Sequence, residues 1–151
     1  MRLQRDAAKR RAPEACRSAR KTMRIAAIFG MILLVSCGPV MTPNARIISP
    51  SGKYMLIALL NKDKADTRHW HCVRLVLLTH SGETLSAVQT GASNIQKWAA
   101  GWMENDDIVV LQSSDIGTTA YNVVSNTLTA IQITPEIEDR AIELKKLKYK
   151  Q

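Results

Sequence analysis

The sequence predicts a mainly β fold, about eight antiparallel strands arranged as two four-stranded meanders, closed by one C-terminal α-helix. Three observations predict it. Beyond residue 44 the chain breaks into short apolar or alternating runs. Clusters of Gly, Pro, Asn, Asp and Ser separate these runs at hairpin spacing, and only the last segment carries apolar residues at helical period.

The strands are read at Ala45–Ser49, Tyr54–Leu60, Cys72–Thr79, Thr84–Gln89, Lys97–Met103, Ile108–Ser113, Thr119–Val124 and Thr127–Ile133. Tyr54–Leu60 is apolar at both alternating positions, the pattern of a central strand covered on two sides. Trp98, Ala100 and Trp102 fall on one face of their strand and are read as core. Pro50-Ser51-Gly52, His80-Ser81-Gly82, Asn105-Asp106 and Ser125-Asn126 accept the tight or left-handed backbone that a hairpin requires. The strand count fits a sandwich, a small barrel or two blade-like sheets equally well.

After the last strand, Thr134 is placed to cap and Pro135 to open a helix over 135–149. Glu136, Glu138 and Asp139 near its start and Lys145, Lys146 and Lys148 near its end complement the helix dipole. Ile137, Ala141, Leu144 and Leu147 make one apolar face that can dock on a sheet.

The net charge of +8 belongs to the leader. From Met1 to Arg24 there are nine Lys or Arg against Asp6 and Glu14. The remainder is nearly neutral, so it lacks the broad positive field of a nucleic-acid binder, and no nucleic-acid partner is expected. An apolar run, Ile25–Val35, follows the basic stretch and leads to Ser36-Cys37-Gly38. As a helix that run would reach roughly 17 Å, short of the hydrocarbon core of about 30 Å. Basic start, short apolar stretch and small residues at the exit make a secretory signal over residues 1–36. Met23-Arg24 is a compact start in itself, so 1–22 is read as an over-extended gene start.

Leu34-Val35-Ser36-Cys37 resembles the lipobox of bacterial lipoproteins. The resemblance implies that Cys37 is alkylated with diacylglycerol, becomes the new N-terminus and holds the protein to the membrane by two or three acyl chains. Gly38 after the cysteine is compatible with an outer-membrane destination facing the periplasm in a diderm cell; otherwise the outer face of the cell membrane is expected. Residues 37–44, with two prolines, are read as a lipidated tether, and 45–151 as a single domain. With Cys16 discarded and Cys37 lipidated, Cys72 is left without a disulfide partner.

Ile48-Ser49-Pro50-Ser51-Gly52-Lys53-Tyr54 and the apolar strand after it resemble a blade of periplasmic β-propellers, and Trp102–Leu111 resembles a second, degenerate copy. Aligning Ile57 with Val110 puts four strands in each half. The chain holds material for two blades, too few to close a ring.

His69-Trp70-His71-Cys72 concentrates the candidate chemistry. In an extended chain His69 and His71 point to one face and offer two imidazoles to zinc or copper, with His80 nearby in sequence. Asn61–Asp66 alternates oxygen-bearing side chains but lacks the glycine and downstream glutamate of a calcium loop, so it is read as a solvated loop. Ser113–Thr119 is a polar connection in which Asp115 and Gly117 mark a candidate binding loop. No nucleophile elbow and no glycine-rich phosphate loop occur, so no enzyme is expected. The resulting expectation is a lipid-anchored envelope protein, non-catalytic, binding an envelope protein or polymer, with a metal-binding lipoprotein as the alternative.

Overall fold

The computed structural model describes residues 41–150; the expected signal, the expected lipidation site at Cys37 and the start of the expected tether lie outside the described residues. Eight strands and one helix follow in order: β1 Arg46–Ile48, β2 Tyr54–Leu60, β3 Cys72–Thr79, β4 Thr84–Ser93, β5 Trp98–Trp102, β6 Ile108–Ser113, β7 Gly117–Val124, β8 Thr127–Ile131 and α1 Pro135–Tyr149. They form two antiparallel four-stranded sheets in the orders β1-β2-β3-β4 and β5-β6-β7-β8, with no closed barrel. The main core draws Ile47, Leu56, Val73, Leu75 and Leu77 from the first sheet and Trp98, Ala100, Trp102, Val109, Leu111 and Tyr121 from the second. The sheets therefore pack face to face as a sandwich, one of the three arrangements the strand count leaves open.

The turns follow from their residues. Ser125 and Asn126 both adopt positive φ, 48° and 64°, and join β7 to β8 as the two-residue turn whose twist matches a hairpin. Gly117, at φ 75°, pairs with Ser113 and closes a three-residue loop, so it opens β7 rather than sitting in a free loop.

Strand β4 runs past the expected end at Gln89. The register shifts between Cys72↔Ser93 and Arg74↔Gln89, and the Thr90 hydroxyl donates to the Val73 carbonyl inside this bulge. That side-chain bond replaces a lost ladder bond and lets the strand continue to Ser93.

The expected tether is corrected from Met41 onward. Met41 is fully buried, its N–H donates to the Ala100 carbonyl at 3.1 Å, and Asn44 N–H donates to Ala58 at 2.8 Å. A linear thioether side chain suits the gap at the sandwich side, which anchors the segment despite its prolines.

The helix covers the outer face of the second sheet. Ile137, Ala141 and Leu144 pack on Ala99, Val110 and Ala120. Thr134 caps it through the Ile137 N–H, and Lys150 ends it in the left-handed region, as cap and dipole chemistry require. Arg140, outside the expected apolar face, is buried too. Its Nε donates to the Trp102 carbonyl and its guanidinium meets Glu143 at 2.6 Å and Glu104 at 3.6 Å, which satisfies the charge.

Strand β5 is an edge, and several of its outward backbone groups are occupied by other elements. The Tyr149 hydroxyl accepts from Trp98 N–H and donates to Trp98 O, while Met41 and Arg140 fill the Ala100 and Trp102 carbonyls. This blunts an edge that would otherwise invite strand addition.

Candidate functional site

Of the residues singled out from sequence, His69, His71, Asp115 and Gly117 lie at one end of the sandwich, in the β2–β3 and β6–β7 connections beside the β4–β5 loop. Loop 61–71 is built on internal hydrogen bonds. Asn61 Oδ1 accepts from Asp63 N–H and Asp63 Oδ1 from Ala65 N–H, which turns the chain and uses oxygens of the calcium-like stretch. Asp66 accepts from Asn61 Nδ2 at 2.9 Å and from the His69 N–H, and its carboxylate lies 3.1 Å from His69 Nδ1. Burial opposes ionisation of Asp66, but the His69 ring and N–H, with Asn61, hold its carboxyl below the usual range.

The histidine pair is corrected. Residues 67–71 are turn rather than extended chain, and His71 sits at φ 62°. With alternation lost, His69 faces Asp66 while His71 stacks on Trp70, ring centroids 4.5 Å apart. His80 lies at the opposite end of β3. Among the described residues no group of three or more His, Cys, Asp or Glu is placed to hold a metal ion. Cys72 is buried and its thiol bonds the Gly91 carbonyl. Burial, then the negative charges of Asp115 and Asp66, push the thiol pKa up, which keeps it protonated.

Asp115 is a clamp between the sheets. One carboxylate oxygen accepts the Ser93 N–H at 2.8 Å and the other the Ser113 hydroxyl. Burial opposes its ionisation, but Ser113 and the N–H groups of Ser93, Asp115 and Ile116 hold the pKa below the ordinary carboxylate value. At the other end Asp107 accepts from the Ser51 N–H and hydroxyl. Two aspartates thus tie the sheets together at opposite ends.

Among the charged and polar residues exposed at this end are two apolar side chains. Ile95 is 83% exposed and Ile116 40%, on the two loops that Asp115 joins. Asn94 N–H donates to the His71 carbonyl, which brings the Trp70–His71 stack alongside, with Lys64 Nζ 5.8 Å from the Trp70 ring. Sequence reasoning found Asp115 and Gly117 here but missed Ile95 and Ile116. An isolated Ile within a polar turn was the available signal for each. Three open clefts of about 430, 370 and 280 Å³ lie elsewhere, and none is lined by His69, His71, Asp115 or Gly117.

Compared with protein-family models, curated proteins and solved structures, the chain matches none. Among the described residues no helix is long and apolar enough to cross a membrane.

Proposed function

We propose that this chain is a lipid-anchored protein of the bacterial envelope whose β sandwich is a non-catalytic binding module for an envelope protein or polymer. The observation that carries the anchor is Leu34-Val35-Ser36-Cys37 at the end of a short apolar run with a basic start. A thioether-linked diacylglycerol there supplies the membrane attachment that a run of this length cannot provide as a span.

Binding rather than catalysis is supported by how the polar groups are engaged. Asp115 and Asp66 are held by internal hydrogen bonds and Cys72 by burial, whereas Ile95, Ile116 and His71 are exposed, with half-buried Trp70 stacked on His71. Exposed apolar loop tips beside a rigid clamp suit recognition of another surface.

Two measurements test the reading. Labelled palmitate is expected to enter the wild-type protein and not the Cys37→Ser variant, which should lose its envelope fractionation. Unlabelled wild type, or a variant that matures and fractionates unchanged, overturns the anchor. Photocrosslinkers at positions 95 and 116 should give a discrete adduct in living cells that a crosslinker at Thr129 does not. The same pattern at all three positions removes the binding surface.

A further inference from the structure

Helix α1 lies along the second sheet with its charges sorted by end. Its first turns stand beside the β5–β6 turn, where Glu104, Asp106, Glu136, Asp139 and Glu143 line one cleft. Its last turns stand at the end of the sandwich that carries Ile95 and Ile116: Tyr149 bonds the backbone of Trp98, and Lys145 Nζ donates to Ser114 Oγ at 2.9 Å. A domain that is nearly neutral in sum is therefore acidic at one end and basic at the other.

Three lysines converge at the basic end. The Lys97 carbonyl accepts the Ser114 N–H, and the hydroxyl of the same serine takes the Lys145 ammonium. Tyr149 gathers the third, because its ring centre is 5.4 Å from Lys97 Nζ and 5.6 Å from Lys148 Nζ. Lys97 is exposed, and Lys145 and Lys148 are half-buried. The β2–β3 loop continues the sign with exposed Lys64 and Arg68, and the Asn94 N–H on the His71 carbonyl joins that loop to this corner. Carboxylates at this end are engaged by the fold: Asp63 accepts from Ala65 N–H, Asp66 from Asn61, and Asp115 from Ser93 and Ser113.

Ammonium groups held close together repel, and a multivalent anion between them removes that cost. We propose that this end of the sandwich binds an anionic envelope polymer, with Lys97, Lys145 and Lys148 taking its phosphate or carboxylate groups and Lys64 and Arg68 extending the track. The inference rests on the envelope binding module proposed above and names the class of ligand for its loop end.

An acidic protein fits this surface less well. Lysine is depleted from protein–protein interfaces, whose centres are apolar and closely packed, whereas Ile95 and Ile116 stand among charged and polar groups here. Separate ammonium groups on flexible stems suit a chain of repeated charges, which is held by many weak contacts without a deep pocket. The acidic end contributes orientation, since a polyanion repels it and draws the opposite end forward.

The test uses the full chain as cells produce it, purified in a neutral detergent. Retention on immobilised polyphosphate and polygalacturonate is measured against neutral dextran. Lys97→Gln with Lys145→Gln removes two charges at the corner. Arg46→Gln with Lys53→Gln removes two exposed charges elsewhere, and circular dichroism checks the folding of both pairs. Retention on at least one polyanion is expected, weakened about fivefold or more by the first pair, less than about twofold by the second, and about tenfold as salt rises from 50 to 200 mM; the better-held polymer identifies the anion. Equal retention of the two double variants assigns binding to charge outside this corner and overturns the inference. Displacement of the polymer by phosphatidylglycerol added to the micelles at equal anion concentration assigns the lysines to lipid head groups and also overturns it. No retention on either polyanion, with a discrete protein adduct from crosslinkers at 95 and 116, overturns the polymer and leaves the binding surface standing. Neither retention nor adduct overturns both.

Discussion

The Asp115 carboxylate accepts the Ser93 backbone N–H at 2.8 Å, tying the last residue of one sheet's edge strand to a hairpin of the other sheet. Burial between sheets is non-directional and leaves sliding inexpensive, so directional bonds such as this one and the Ser51–Asp107 pair at the other end set the register. The clamp fixes their relative position at the end where Trp70, Ile95 and Ile116 are displayed. Its removal is expected to act on stability and on the geometry of that surface together.

Asp115→Ala should lower stability by about 1–2 kcal/mol, the lower part of the range for hydrogen bonds to a charged group because the residue is exposed. The pH dependence follows from a carboxyl whose pKa in the fold is depressed. Its contribution is fully present above the unfolded value of about 3.9 and is lost as pH falls through the lower folded value. Urea midpoints of wild type and variant should differ by a constant amount near neutrality and converge in acid. A difference that persists in strong acid assigns the loss to something other than the ionised clamp.

Met41→Ala should cost about 2–4 kcal/mol, as for a large apolar side chain removed from a closed site. A chain beginning at Ala45 should be destabilised further, because it also leaves the Ala100 and Ala58 carbonyls without the donors Met41 and Asn44. Thermal unfolding of Met41→Ala checks the first statement. An unchanged midpoint would mean that the segment is a tether after all.

Local chemistry was legible and tertiary replacement was not. Apolar or alternating runs between turn residues located all eight strands, and Ser125-Asn126 specified its turn because both residues tolerate positive φ. Thr134, Pro135 and the Ile137, Ala141, Leu144 spacing specified the helix. Met41 was unreadable because two prolines beside it resemble a linker, and its partner Ala100 is distant in sequence. The end of β4 was misjudged because the Thr90 hydroxyl takes over a backbone role, which no strand pattern encodes. His69 and His71 looked like a ligand pair only while the chain was taken as extended; Asp66, three residues upstream of His69, was the sequence signal for a turn instead. The clamp role of Asp115 needs the other sheet to be present.

Lys148 places its Nζ 3.3 Å from the centre of the Trp98 ring, and burial lowers its pKa to about 8. The ring face attracts the cation and partly opposes that desolvation. With the folded pKa below the unfolded one, the unfolded chain binds more protons between the two values. The Lys148 contribution to stability should therefore rise with pH from about 8 to roughly 10.4. Lys148→Met should remove this rise, and the difference between the two denaturation profiles across that window measures it. Parallel profiles would show that Lys148 titrates normally.

Helix and sheet approach closely at Gly101, where an added Cβ would lie 2.8 Å from Leu144 Cδ2 and 3.3 Å from its Cδ1. Neighbouring Ala99 and Ala120 are also small and buried, so α1 sits on a floor of small residues with Leu144 filling the hollow. Because Leu144 is fully buried, its end atoms have nowhere vacant to move, and Gly101→Ala should cost about 1–3 kcal/mol as overpacking. Leu144→Ala should cost about 2–5 kcal/mol as a cavity. Their combination should be less destabilising than the sum, since the new methyl occupies part of the space that Leu144 leaves. A coupling of about 0.5 kcal/mol or more in the double-mutant cycle is expected for groups in such contact. Strict additivity would mean that the helix rides away from β5 as a body when the methyl is added, and that Leu144 does not determine the docking distance.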